Sequence, residues 1–235
     1  MYEDLLNKVV DFHADLFRNI KTIRRSQALF DDLSDDPHDQ AVAAAAEATD
    51  RIASEAPLIT RPFDYGAVIT FPFVNFNGHA TRFSDGVQHG VWYGSLELLT
   101  TVYETVYHWH RFVMDSYAAE DRAIRGERRV FNARCDAILI DLRGKHRHEP
   151  RLVDRQSYGF TQPLGRYLKD QGQNGLLVKS ARADGANAAI LRPEVLSQVR
   201  DVCHLMYLMN PAKESIRVER TPGKLWMQVV PSQLY

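Results

Sequence analysis

Residues 81–108, TRFSDGVQHGVWYGSLELLTTVYETVYH, change their hydrophobic period halfway along. HGVWYGS (89–95) is a short apolar run between turn formers and predicts a strand. From Leu96 to about Ala119 a helical period takes over, and Leu99, Val102, Val106, Val113 and Tyr117 fall on one face. Downstream, VFNARCDAILIDL (130–142) suits a central strand with a bulge. Thr161 is placed to cap a short helix that carries Pro163 in its first turn and stops near Gly172. GLLVKSA and NAAILRP predict two more strands joined by ARADG. A helix is expected over 194–209, followed by a hairpin in SIRVERTPGKLWMQVV that turns at TPGK. Upstream, GAVITFPF (66–73) reads as a strand. Strands and helices mix without a regular βαβ rhythm, which gives an α+β fold class.

The N-terminal zone, residues 1–57, reads as helical and contains no glycine. Leu5, Val9, Phe12, Leu16, Ile20 and Ile23 recur at spacings of three and four and predict one face of a long helix. DDLSDDPHD (31–39), with Pro37, ends it, and an Ala-rich second helix is expected over 40–55, before Pro57. Two readings stay open for this zone. It is either a helical bundle packed on the rest of the fold, or an appendage for a partner or for a homodimer.

The 235 residues are 45% hydrophobic and 25% charged, the composition of a folded protein and not of a disordered one. With 29 Lys+Arg against 30 Asp+Glu there is no basic excess, so direct nucleic-acid binding is not expected. Cys135 and Cys203 are far apart in apolar stretches and read as reduced core residues, which fits a cytoplasmic location. The first residues lack a secretion signal, and no apolar run approaches the roughly 20 residues a membrane helix needs.

Phosphate loops, dinucleotide glycine motifs, nucleophile elbows and zinc-type spacings are absent from the sequence. Two histidine pairs, His108/His110 and His146/His148, offer nitrogens for a metal and keep a metal-dependent hydrolase in view. Against this, residues two apart on a helix face different ways. His110 shares the apolar stripe, and RGKHRHEPR reads as a solvated loop. No metal ligand is therefore expected.

Residues 81–108 together with YGFTQPLGRYLKDQGQNGLLVKSARADGANAAIL (158–191) resemble the RES family, named for its Arg, Glu and Ser. The matching positions are Arg61 in ITRPFDYG, Arg82 in TRFSDG, Tyr93 in GVWYGS, Glu104 in TVYETVYH and Ser180 in GLLVKSAR. Arg82, Tyr93 and Glu104 follow one another at equal steps in sequence, the most specific part of the pattern. The likeness runs over about residues 58–193. The C-terminal helix and hairpin look like additions, although residues 58–235 are taken as one catalytic domain.

That resemblance implies an ADP-ribosyltransferase-like core of mixed β-sheets with flanking helices, and NAD as the substrate. It implies the toxin of a bacterial toxin–antitoxin pair, held by an antitoxin with an Xre-like region. The nicotinamide–ribose bond would be cleaved, with ADP-ribose passing to a cellular protein; hydrolysis or phosphorolysis that depletes NAD is the alternative. A catalytically silent protein-binding module is a third reading. Under the resemblance Arg61 and Arg82 clamp the pyrophosphate, since a guanidinium makes bidentate bonds to it. Tyr93 stacks on the nicotinamide or ribose. Glu104 stabilises the oxocarbenium-like ribose, as carboxylates do in glycoside hydrolysis. Ser180 orients a neighbour and is not a nucleophile. Taken without the resemblance, the same side chains read as a turn arginine, a strand aromatic, a solvated helix glutamate that pairs with His108, and a strand serine.

Overall fold

The computed structural model describes residues 2–22, 65–213 and 215–235. Within them the order is β1 (Val9–Lys21), α1 (Tyr65–Val74), β2 (Trp92–Ser95), α2 (Leu98–Tyr117), β3 (Ile124–Asp141), α3 (Thr161–Asp170), β4 (Gly175–Lys179), β5 (Ala186–Ile190), β6 (Leu196–Met209), β7 (Ile216–Thr221) and β8 (Lys224–Val229). The fold is α+β. The sheet runs β1-β2-β5-β4-β3-β6-β7-β8, and β1 also pairs with β3. Every pairing is antiparallel except that of β3 with β4.

The long apolar run does form the central strand. Phe131, Ala133, Cys135, Ala137 and Leu139 are buried at alternate positions of β3, as a two-residue period requires. Its register with β6 shifts at Val130/Phe131 and again at Asn132/Arg134, where the expected bulge lies. Because β1 pairs with both β2 and β3, strands β1, β2, β5, β4 and β3 close on themselves. Phe12, Leu16, Trp92, Cys135, Leu177 and Ile190 fill that circuit. Burial holds the Cys135 thiol up at about 12, so it is an inert core thiol, and both cysteines are free. On β4 the neighbours Leu176 and Val178 point the other way and pack with Leu164 and Leu168 of α3. A third cluster joins Val102, Val106 and Val113 of α2 to β6, β7 and β8.

Three elements depart from the sequence reading. Val9–Lys21 is a strand and not a helix. Phe12, Leu16 and Ile20 are spaced by four, which also lands on one face of a strand, and thirteen partners along β3 decide between the two periods. Residues 194–209 were expected as a helix, but they enter β6. There Leu205, Tyr207 and Met209 are buried at alternate positions between β3 and β7. GAVITFPF was expected as a strand and lies in α1. Pro72 inside that helix has no N–H to give to the Val68 carbonyl one turn earlier, and the Trp92 indole donates to it instead at 3.0 Å. Gly90 lets α1 approach, since a Cβ there would meet the Pro72 carbonyl at 2.0 Å.

Smaller differences are local. Phe160, not Thr161, occupies the N-cap of α3, and it makes no side-chain cap bond. Leu99 is 45% exposed although Val102, Val106 and Val113 of its stripe are buried and Tyr117 is partly so. The hairpin at residues 216–229 forms as expected. The residues up to Lys21 group with Tyr65–Tyr235 in one compact unit. The second N-terminal helix expected over 40–55 and the boundary at residue 57 lie outside the described residues.

Candidate active site around Glu104

Glu104 sits midway along α2, half-buried, on the flank of the helix that faces the β4–β5 turn. Gly185 brings the turn in: a Cβ there would meet Thr100 Oγ1 at 1.9 Å, so only glycine allows this approach to the start of α2. Ser180 closes the same turn with its N–H on the Gly185 carbonyl at 2.9 Å. Its hydroxyl then donates to Glu104 Oε1 at 2.6 Å. Asn187 Nδ2 donates to the same oxygen at 2.7 Å, and its own Oδ1 accepts from Ser95 at 2.7 Å. Two donors therefore lock Oε1, while Oε2 accepts nothing among the described residues.

Ser180 has no spare capacity. Its Oγ donates to Glu104 and accepts the backbone N–H groups of Arg182 and Ala183, both at 3.0 Å. An oxygen so committed orients the carboxylate and does not attack a substrate. Arg182, two residues on, is buried and stacks on the Tyr107 ring with its guanidinium carbon 3.6 Å from the centroid. Burial lowers its pKa, opposed by Tyr107 and by the charge of Glu104.

Tyr93 and Arg82 form the next part. The Tyr93 hydroxyl accepts the Phe83 N–H at 2.9 Å and lies 2.9 Å from Thr81 Oγ1, so it pins the turn that carries Arg82. Burial pushes the phenol up to about 12. Arg82 uses Nη1 alone, donating to the Asp154 carbonyl at 2.8 Å and the Leu152 carbonyl at 3.3 Å, and its guanidinium lies over Tyr158. Its Nε and Nη2 remain open among the described residues.

Two further residues belong here: Arg18, which the sequence reading does not mark, and His108, which it marks only in a histidine pair and as a neighbour of Glu104. Arg18 of β1 donates Nη1 to the Tyr93 carbonyl at 2.9 Å and lies over the Trp92 ring, and its buried Nε has no partner. Desolvation alone pulls it down to about 10. His108 stands one helical turn from Glu104. It keeps an open solvent edge yet is crowded by protein, and that desolvation lowers its pKa against the opposing pull of Glu104. Of the expected clamp, Arg61 lies outside the described residues. Arg18 had no signal in the sequence, because it sits in a segment whose period reads as helix. Asn187 was quoted within a strand but carried no mark of its role.

The eight described arginines that are not exposed divide evenly. Arg129, Arg134, Arg143 and Arg166 each pair with an aspartate: Asp201, Asp136, Asp141 and Asp85. Arg18, Arg82, Arg128 and Arg182 have no carboxylate within 4.0 Å among the described residues. Arg128 instead donates to Asn19 Oδ1 at 3.1 Å and lies over Tyr207, and burial lowers its pKa. Pairwise contacts link these four arginines to Tyr93, Glu104 or His108. Arg182 and Arg128 both act on His108, Arg182 feels Glu104 and Arg82, and Arg18 is bonded at Tyr93. Guanidinium groups without a carboxylate within 4.0 Å among the described residues, near a carboxylate with one open oxygen, can take an anionic ligand.

The histidine pairs do not converge. His110 Nδ1 meets the Tyr235 hydroxyl at 2.8 Å, and His146 Nδ1 lies 2.8 Å from the Arg143 carbonyl. No group of three or more metal-ligating side chains occurs among the described residues. None of the described helices is long and apolar enough to cross a membrane.

No curated protein matches this chain. Among solved structures it is similar to the crystal structure of the M. tuberculosis MbcT–MbcA toxin–antitoxin complex, at 12% identity over 87% of this chain and 88% of that chain, with a TM-score of 0.47. The model of the RES domain matches residues 50–210, a span that holds Arg82, Tyr93, Glu104 and Ser180 and leaves β1 with Arg18 outside it. With well over half its length matched, the chain belongs to the RES domain family.

Proposed function

We propose that this protein cleaves the nicotinamide–ribose bond of NAD and acts as the toxin of a toxin–antitoxin pair. One observation carries the reading: Glu104 is held by Oε1 and open at Oε2, near arginines that have no carboxylate within 4.0 Å among the described residues. RES membership supports it. Arg18 and Arg82, each with guanidinium nitrogens unused among the described residues, take the pyrophosphate, beside Arg61, which the resemblance implies for the same role and which lies outside the described residues. Tyr93 fixes both, by its carbonyl to Arg18 and its hydroxyl to the Arg82 turn. The C–N bond breaks with its electron pair leaving on nicotinamide, and Glu104 Oε2 faces the positive charge that develops on the ribose. A nucleophile then bonds to the same carbon and gives up its proton.

The acceptor is a side chain of a cellular protein, with water or phosphate as the alternatives that a labelling experiment separates. The partner is an antitoxin with an Xre-like region. NAD labelled on the adenine is incubated with the purified protein, in buffer and in lysate. Label on a protein band supports transfer. Free ADP-ribose or its phosphate supports depletion. Intact NAD in both overturns the catalytic reading.

A further inference from the structure

Residues 231–235 contact the site at two points. Pro231 and Leu234 are buried, and the Tyr235 ring packs on Tyr107 of α2 with centroids 5.0 Å apart. The Leu234 carbonyl accepts from Arg182 Nη1, while Arg182 Nη2 donates to the Arg155 carbonyl at 2.6 Å. Arg155 reciprocates. Its Nε donates to the Ala181 carbonyl at 3.0 Å, and its Nη1 reaches the carbonyls of Gln233 and Tyr235. Two guanidinium groups thus join three segments that are distant in sequence. Both Arg182 bonds end on neutral peptide carbonyls, so these contacts do not neutralise it.

We infer that residues 231–235 form a positioning strap for the active site, acting through Arg155 and Arg182 on the turn that carries Ser180. The path is continuous. The strap and Arg155 fix the residues on either side of the Arg182 amide, that amide and the next donate to Ser180 Oγ, and Ser180 donates to Glu104. With the strap loosened, the turn loses the constraint that aims the Ser180 hydroxyl, and Oε1 of Glu104 keeps only Asn187. The same strap leaves Arg182 as a fixed charge beside Glu104 and withholds its terminal nitrogens from substrate. Arg182 and Arg155 are therefore positioning residues. In its catalytic consequence the inference rests on the NAD-cleaving reading; in its structural part it does not.

The test uses Arg155→Met in the full chain. Arg155 is exposed, so its loss does not open the core. Hydrogen exchange at the Arg182 and Ala183 amides is expected to speed up roughly tenfold, with the β7–β8 amides unchanged. NAD turnover is expected to fall roughly tenfold, and Arg155→Lys to restore part of it. A structural effect elsewhere would add to the loss from Ser180→Ala, whereas a strap acting through Ser180 makes the double variant no worse than Ser180→Ala alone. Unchanged exchange at the two amides, or full additivity with Ser180→Ala, overturns the inference. If the parent protein leaves NAD intact, the functional reading fails, and the exchange measurement alone decides the strap.

Discussion

Two arginines of β3, Arg129 and Arg134, and the arginines around Glu104 obey opposite rules. Arg129 and Arg134 each find an aspartate in their own sheet, and Asp201 also accepts the Tyr65 hydroxyl at 2.7 Å. Arg18 and Arg182 are more deeply enclosed, yet they rest on carbonyls and aromatic faces. Burying a cation without a counter-charge costs several kcal/mol, so a fold selected for stability alone would place a carboxylate there. On the proposed reading, the missing counter-charge at Arg18 is the anion of the ligand, whereas Arg182 stands beside Glu104. Stability governs the paired region and binding governs the unpaired one, and substitutions in the two should separate along that line.

The largest effect is expected at Glu104. Glu104→Gln keeps an oxygen to accept from Ser180 and Asn187, so the fold should persist with an unchanged circular dichroism spectrum. NAD cleavage should fall by roughly a hundred- to a thousandfold, the usual consequence of removing a group aimed at transition-state charge. Retained turnover, or retained growth arrest on expression in bacteria, would remove Glu104 from the chemistry.

Next come the unpaired cations. Arg18→Met and Arg82→Ala should each weaken NAD binding by about 2–4 kcal/mol, the cost of losing a charge-assisted contact in an enclosed site. Titration calorimetry with the Glu104→Gln background, which does not turn over, reads this directly. If Arg18→Met binds NAD as well as its parent, the unpaired region has another explanation.

In the paired region the effects move to stability and pH. Asp141 is nearly sealed from solvent and holds Lys8 at 2.8 Å and Arg143 at 2.9 Å. Arg143 first, then Lys8, keep its carboxyl well below the usual carboxylate range against the opposing effect of burial. A depressed acid stabilises the fold fully above its unfolded pKa of about 4, and the contribution disappears as pH falls through the folded value. Unfolding free energy should therefore drop below about pH 4. Asp141→Asn should flatten that slope and cost on the order of 1–2 kcal/mol at neutral pH, less than a fully enclosed pair because both cations reach solvent. Equal acid slopes in urea melts of the two proteins would show that Asp141 is not the titrating group.

How much of this was legible in the sequence follows from how local each signal is. The strand-to-helix switch at residues 89–117 is written in adjacent residues, and β2 and α2 form on either side of it. Strands β1 and β6 read as helices in the sequence, because Phe12, Leu16 and Ile20 fit both periods and only partners on β3 and β7 choose between them. The site shows the same division. Arg82, Tyr93 and Glu104 follow one another at equal steps in sequence, and Ser180 stands in the local motif GLLVKSAR. Arg18 reaches the site only because β1 is a strand paired with β3, so misreading that segment concealed the residue as well.

The smallest effect is the one that opposes the two regions most directly. Arg129→Met leaves Asp201 more than a third exposed and still bonded to Tyr65, so it should lower stability by less than about 1 kcal/mol. Arg18→Met removes one hydrogen bond to the Tyr93 carbonyl, worth about 1 kcal/mol, and at the same time relieves the uncompensated burial of its charge. Its stability should be unchanged or slightly raised while NAD affinity falls. Arg129→Met should show the reverse, a small loss of stability with affinity intact. Urea denaturation and NAD titration on the same two variants give four numbers, and a loss of stability in Arg18→Met larger than in Arg129→Met would break the distinction between a region built to hold together and a region built to hold an anion.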